Sequence, residues 1–242
     1  MKYLVFISIL LLPYCGIAQN FISKGMIEYE VKSNTHKAMG NGAWADMMKD
    51  KIPKLSTSYY RLTFNGERSI YLYNRIDEKS KSPWSDEEGG PDNIWFNDYE
   101  KDQSVMQKSV FGEIYLLNDS LSKIKWKLSN ETREIAGFTC RKATGIIFDS
   151  VYVFAFYTDE ITTSGGPMSL HGLPGMILGL TIPRMFTSWV ATKIDLTITD
   201  EAKIKAPVNG KKQEALQLQK IVTDATKEWG TYGQQAIWNI FL

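Results

Sequence analysis

Gly165-Gly166-Pro167-Met168-Ser169-Leu170-His171-Gly172-Leu173-Pro174-Gly175-Met176-Ile177-Leu178-Gly179-Leu180 is the stretch from which the rest of the chain is best approached. Five glycines and two prolines fall in it, yet apolar residues fill most of the remaining places. A flexible linker would be polar and rich in Gly and Ser. Here backbone freedom is combined with side chains that favour burial. Pro174-Gly175 carries the signal of a type II turn, with Pro at its second position and Gly at its third. The stretch therefore predicts a shaped, partly buried turn that delivers the chain into a strand beginning near Met176.

Outward from this turn the pattern is one of short strands. Upstream, Val151–Thr158 is the most apolar run, and its apolar residues on both faces predict the centre of a sheet. Before it, Glu131–Ile135 and Phe138–Ile147 are joined by Ala136-Gly137. Ile94–Asn97, Ser104–Lys108, Glu113–Leu117 and Lys125–Leu128 are further strands. Thr57–Phe64 and Glu67–Tyr73 flank Asn65-Gly66, a strong hairpin signal. Gly25–Lys32 alternates, with Ile27, Tyr29 and Val31 on one face. Between it and the hairpin, Ala43, Met47 and Met48 stand at helical spacing, with Pro53 as a stop. Downstream come Met176–Ile182 and Thr187–Ile198, and then the period changes. Ala215, Leu218, Val222 and Ala225 share one face of a helix over Lys211–Thr226, and the apolar end Gln234–Leu242 docks as a strand or helical turn. The fold class is mainly β (β-rich α+β). We expect a single curved antiparallel meander sheet or half-barrel, with a short N-terminal helical segment and a C-terminal helix.

The same stretch resembles a known family. Gly172-Leu173-Pro174-Gly175-Met176-Ile177 is similar to the hexapeptide that names the GLPGLI family, uncharacterised exported proteins known mainly from Gram-negative bacteria. Met176 stands where that name has leucine. The resemblance runs through Trp126-Lys127-Leu128, Glu134 to Ala143, Phe156 to Ile161 and Gly166-Pro167, and it implies no reaction. Sequences of this kind are also similar to the bowl-shaped accessory domain beside the catalytic domain of some secreted glycan-releasing amidases. That similarity implies recognition rather than catalysis.

Compartment is read from the first residues. Lys2 is a minimal positive region, Tyr3–Leu12 an apolar run, and Gly16-Ile17-Ala18 a small-residue cleavage site. We expect residues 1–18 to be a cleaved signal peptide and 19–242 a single β-rich domain. The apolar run is too short to span a bilayer, and Tyr14 before Cys15 does not suit a lipoprotein leader. The expected location is periplasmic or extracellular, with peripheral outer-membrane attachment open. Cys15 leaves with the leader, so Cys140 is the one mature thiol and no internal disulfide forms. Loss of Lys2 from 28 basic residues leaves 27 against 27 acidic ones, so nucleic acid is not an expected partner.

The chemistry-bearing residues are few. Two histidines, His36 and His171, lie in unrelated segments, and no metal-ligand spacing occurs. No cofactor motif is present. The acidic connection Ile76–Asp92 lacks calcium-loop spacing and predicts a solvated segment. Cys140 predicts a buried, unreactive thiol. With seven Trp and twelve Tyr, an aromatic-bearing concave sheet suits a peptide, glycan, lipid or envelope protein. Its candidate contact residues are Trp84, Trp95, His171, Gly172, Leu173, Pro174 and Gly175. The alternative is a cofactor-free hydrolase with a cleft near Asp159, Glu160 and His171.

Overall fold

The computed structural model describes residues 21–81, 92–197, 201–229 and 231–242. The leader Met1–Ala18, and Trp84 with most of the acidic connection, lie outside the described residues. The strands are β1 (Gly25–Asn34), β2 (Leu55–Phe64), β3 (Arg68–Ile76), β4 (Ile94–Asp98), β5 (Gln103–Val110) and β6 (Glu113–Ser120). They continue as β7 (Lys127–Ile135), β8 (Phe138–Ile147), β9 (Val151–Thr158), β10 (Met176–Ile182), β11 (Thr187–Asp195) and β12 (Lys211–Gln213). Helices α1 (Thr35–Ala38) and α2 (Ala43–Lys49) follow β1, and α3 (Ala215–Ala225) and α4 (Thr231–Phe241) end the chain. No helix among the described residues is long and apolar enough to cross a membrane.

All twelve strands form one sheet in the order β12-β6-β5-β4-β3-β2-β1-β11-β10-β9-β8-β7. Two meanders, β2–β6 and β7–β11, are joined through β1, which pairs antiparallel with β2 on one side and β11 on the other. Among the twelve strands the one parallel pairing is β12 on β6. Inward residues stack across strands, for example Ile27 opposite Leu62, Leu62 opposite Tyr71, and Tyr71 opposite Trp95. The principal core joins these residues to Ala155, Met176, Leu178 and Trp189 of the other meander, and to Trp238 and Leu242 at the end of α4. The sheet therefore curves about its own filling. A smaller core holds α3 and α4 against β5 and β6, through Leu218, Val222 and Ile237 on Val110 and Leu117.

Several expectations need correction. β9 lies third from an edge rather than at the centre. Its outward apolar residues are covered by cations, with the Arg133 guanidinium 4.4 Å from the Phe156 ring, while Tyr152 is 54% exposed. The two expected strands Lys125–Leu128 and Glu131–Ile135 merge into one, β7, which starts only at Lys127 and whose pairing slips between Leu128 and Thr132. In α2 the buried pair is Ala45 and Met48, and Met47 faces solvent. In β8 the inward phase changes between Cys140 and Ala143, which are both buried, so Ile146 farther along is exposed. The expected helix Lys211–Thr226 is divided, with Lys211–Gln213 forming the short β12 and α3 beginning at Ala215, and the chain ends in a helix, α4. At the β2–β3 hairpin, positive φ occurs at Gly66 (84°) and not at Asn65. The loop is therefore Gly66-Glu67 with glycine first, the pattern of a type II′ turn. Asn65 serves by its side chain, whose Oδ1 accepts from the Arg68 N–H at 2.9 Å.

Candidate functional site

The segment Ile161–Gly175 has no regular structure, yet it is mostly buried, with Met168, Leu170 and Leu173 each no more than 5% exposed. A buried loop must satisfy its own backbone groups, and here partners come from distant strands. The Met168 carbonyl accepts from Asn97 Nδ2 of β4 at 3.1 Å. The Gly165 carbonyl accepts from Ile177 N at 2.8 Å, and the His171 carbonyl from Trp126 Nε1 at 2.8 Å. The Ser169 hydroxyl lies 3.0 Å from that of Ser104 on β5. Tyr29 on β1 donates its hydroxyl to the Ile177 carbonyl at 2.6 Å. The loop is thus tied to the concave side of both meanders.

Its last turn departs from the type II expectation. Gly175 N donates to the Leu173 carbonyl at 2.8 Å, a three-residue turn about Pro174. Met176 N, which a type II turn would engage, instead donates to Ile161 O at 3.2 Å. Gly175 has φ 138°, and a Cβ there would stand 1.9 Å from the Thr158 carbonyl oxygen. The tight turn lets β10 start against the end of β9, where Met176 pairs with Thr158.

The candidate contact residues are divided by this arrangement. Leu173 and Gly175 are buried, whereas Gly172 and Pro174 face solvent. Trp95 is 5% exposed and donates its indole N–H to the Leu242 carbonyl, so it is a core residue rather than an open platform. Beside it Tyr71 packs edge-on at 5.3 Å, and Tyr60 stacks on Tyr71 at 5.0 Å. The aromatic-bearing concavity exists, but α4 and the Gly/Pro loop fill much of it. Lys108 is sealed in there, 1% exposed, with Nζ 3.8 Å from the Trp95 ring centre. Its Nζ has no hydrogen-bond partner among the described residues, and burial pushes its pKa well below the usual lysine range.

The residues weighed for catalysis do not converge. Burial lowers the His171 pKa, opposed by a hydrogen bond to the Ser122 backbone and by the charge of Asp102. The ring packs near Tyr99 at 6.2 Å, and Nε2 is buried without a partner among the described residues. Asp159 lies 3.9 Å from Arg141, and Glu160 is exposed. His36 is elsewhere, its Nε2 3.0 Å from the Ile52 carbonyl oxygen. Cys140 is fully buried, its Sγ donating to the Phe138 carbonyl at 3.6 Å. Burial, and secondarily the charges of Glu134 and Glu160, push its thiol up to about 12. Among the described residues no three His, Cys, Asp or Glu side chains gather closely enough to hold a metal ion.

What the structure does bring together is a cleft of about 520 Å³ beside the Gly/Pro loop. One wall is the β6–β7 connection, with Ser122, Lys123, Ile124 and Lys125. The opposite wall is the β8–β9 turn, from Ile146 to Asp149. Ser169 and Leu170 of the loop, with Phe241 and Leu242 at the end of α4, complete the lining. The β8–β9 turn is strained, with positive φ at both Phe148 (47°) and Asp149 (60°) and Ser150 N bonded to Ile147 O at 3.3 Å. Neither residue is glycine, and Met168, just before Ser169, also has positive φ (61°). Such non-glycine backbone is uncommon and gathers at binding sites. Of the seven candidate contact residues, the six described ones do not line this cleft. The available signal was an aromatic, Phe148, at a hairpin tip where turn residues are expected.

With this geometry in place, the chain can be set beside known proteins. Residues 100–219 match the family described as "N-glycanase peptide, N-terminal domain". The match spans β5 through the first five residues of α3, just under half of the chain. Two crystal forms of PNGF-II have a similar fold over 86% of this chain, with TM-scores of 0.55 and 0.54 and 16% identity. The chain spans about a third of the length of those PNGF-II chains (34% and 33%). An uncharacterised conserved protein from Thermus thermophilus aligns over 82% of this chain and 94% of its own, at 5% identity and a TM-score of 0.40. A search of curated proteins found no match.

Proposed function

We propose that this chain is an exported module that recognises glycans or glycoproteins without cleaving them, and that the cleft beside the Gly/Pro loop is its contact site. The observation that carries this reading is the cleft itself, about 520 Å³, with walls from four separate segments and a strained aromatic tip. Its lining mixes apolar side chains (Ile146, Phe148, Leu170 and Phe241) with the hydroxyls of Ser122 and Ser169. A sugar ring presents apolar C–H faces and hydroxyl edges, and this mixture suits both. The similarity to a family named for an N-glycanase supports an N-glycan as the class of ligand. Placement of His171 away from any hydrogen-bonded carboxylate supports binding over hydrolysis. The leader and the GLPGLI-like blocks support export. Isothermal titration of residues 19–242 with a released N-glycan and an N-glycopeptide tests the reading. Saturable binding weakened at least about five-fold by Phe148→Ala is expected. Absence of binding, or release of the glycan from the peptide, would overturn it.

A further inference from the structure

Three charged side chains line the cleft: Lys123, Lys125 and Asp149. Lys123 and Lys125 stand on one wall, both exposed, and neither is within ion-pair distance of a carboxylate among the described residues. Asp149, in the β8–β9 turn with positive φ (60°), belongs to the same lining, and it too has no ion-pair partner among the described residues. Two cations and one anion thus line one cleft with no ion pair between them, together with Phe148, Leu170, Ser122 and Ser169.

We infer that the cleft selects sugars carrying a carboxylate. This deepens the proposed glycan recognition and rests on it. The carboxylate meets Lys123 and Lys125, which supply donors without any acid of their own chain to compete. Asp149 accepts from sugar hydroxyl or amide N–H groups on the far side of the ring. The apolar face of the ring or of an acyl substituent lies on Phe148 and Leu170. A neutral sugar would leave both ammonium groups to water at no cost, so the preference is a matter of degree. Exposed pairs of this kind are each worth roughly a two- to five-fold change in affinity.

The test is a titration of residues 19–242 with paired glycans that differ only in a terminal carboxylated sugar. One arm uses a sialylated N-glycan and its desialylated form. The other uses a glucuronic-acid disaccharide and its carboxamide, to separate the two sources of the same group. A preference of roughly five- to twenty-fold for the carboxylated member in either arm is expected at low salt. It should shrink as ionic strength rises past about 0.3 M, where screening reaches a few ångströms. The double variant Lys123→Glu, Lys125→Glu, with its melting temperature checked, should abolish or reverse that ratio. Equal binding of neutral and carboxylated members, or a ratio unchanged in the double variant, would overturn the inference while leaving glycan recognition standing. No binding by any member would sink the proposed function together with it.

Discussion

Replacement of Gly175 by alanine is the sharpest test of how the Gly/Pro loop is built. Two costs combine there. The backbone has φ 138°, which an L side chain rarely adopts, and that strain costs on the order of 1–3 kcal/mol. The added Cβ would also stand 1.9 Å from the Thr158 carbonyl oxygen, 2.7 Å from its carbon and 3.0 Å from Asp159 Cα. These are backbone atoms at the end of β9, which is held by β8 and β10 on its two sides, so relief requires β10 to shift. Overpacking of this kind costs about 1–3 kcal/mol more. Together the costs reach about 2–6 kcal/mol, a large part of the 5–15 kcal/mol typical of a folded domain. For a chain of this size that is a fall in melting temperature of roughly 4–24 °C. Gly172→Ala is the internal control. Its φ is 91°, but the nearest atom to the new Cβ is Trp126 Nε1 at 3.5 Å, so it bears only the conformational cost. Thermal unfolding followed by circular dichroism, with urea titration as a second measure, separates the two. A Gly175→Ala protein melting within about 2 °C of the parent, or level with Gly172→Ala, would refute the idea that this loop is a fixed part of the core.

Other outcomes follow from buried groups and from the leader. Lys108→Met is expected to stabilise the protein at pH 7 by about 1–4 kcal/mol, because it removes a buried polar group whose Nζ lacks a hydrogen-bond partner among the described residues. The lysine pKa is lowered in the fold, so the unfolded chain binds the extra proton below its ordinary value of 10.5. Parent stability must then fall as pH drops below that value, and the gap between parent and variant must close as pH is raised past it; a constant gap would contradict this. Cys140, buried with its thiol pushed up to about 12, should resist labelling by a thiol reagent at pH 7 until denaturant is added, and rapid native labelling would place it elsewhere. Intact mass of the exported protein should begin at Gln19, and a diacylglycerol adduct on Cys15 would exclude the leader as drawn.

Much of the fold was legible because local pattern and burial agree. Alternation of Ile27, Tyr29 and Val31 located β1, and Leu218 with Val222 located α3. The Gly/Pro stretch gave its burial from the apolar residues between its turn formers, and Gly175 gave its positive φ. The turn type was misjudged because the Met176 N–H had a better partner, Ile161, on a segment 15 residues earlier. The place of β9 was misjudged for a similar reason. Its outward Phe156 is covered by Arg133 of β7, a contact between strands that no run of apolar residues reveals. The cleft was the least legible feature. Its lining comes from four segments, and Lys123, Lys125 and Asp149 each look like ordinary solvated residues until the fold places them on one cleft. Trp95 failed as a surface candidate because its indole N–H is taken by the Leu242 carbonyl just past α4, more than a hundred residues away.

Glycan recognition at the cleft is most directly tested by methyl-resolved NMR titration of residues 19–242 with an N-glycan. Ile124, Ile146, Ile147, Leu170 and Leu242 line the cleft, whereas Ile27, Leu62 and Ile70 are buried residues of β1, β2 and β3 outside its lining. The expected result is a set of saturable shifts confined to the first group. Shifts centred on the second group, or none at millimolar glycan, would contradict glycan recognition at this site.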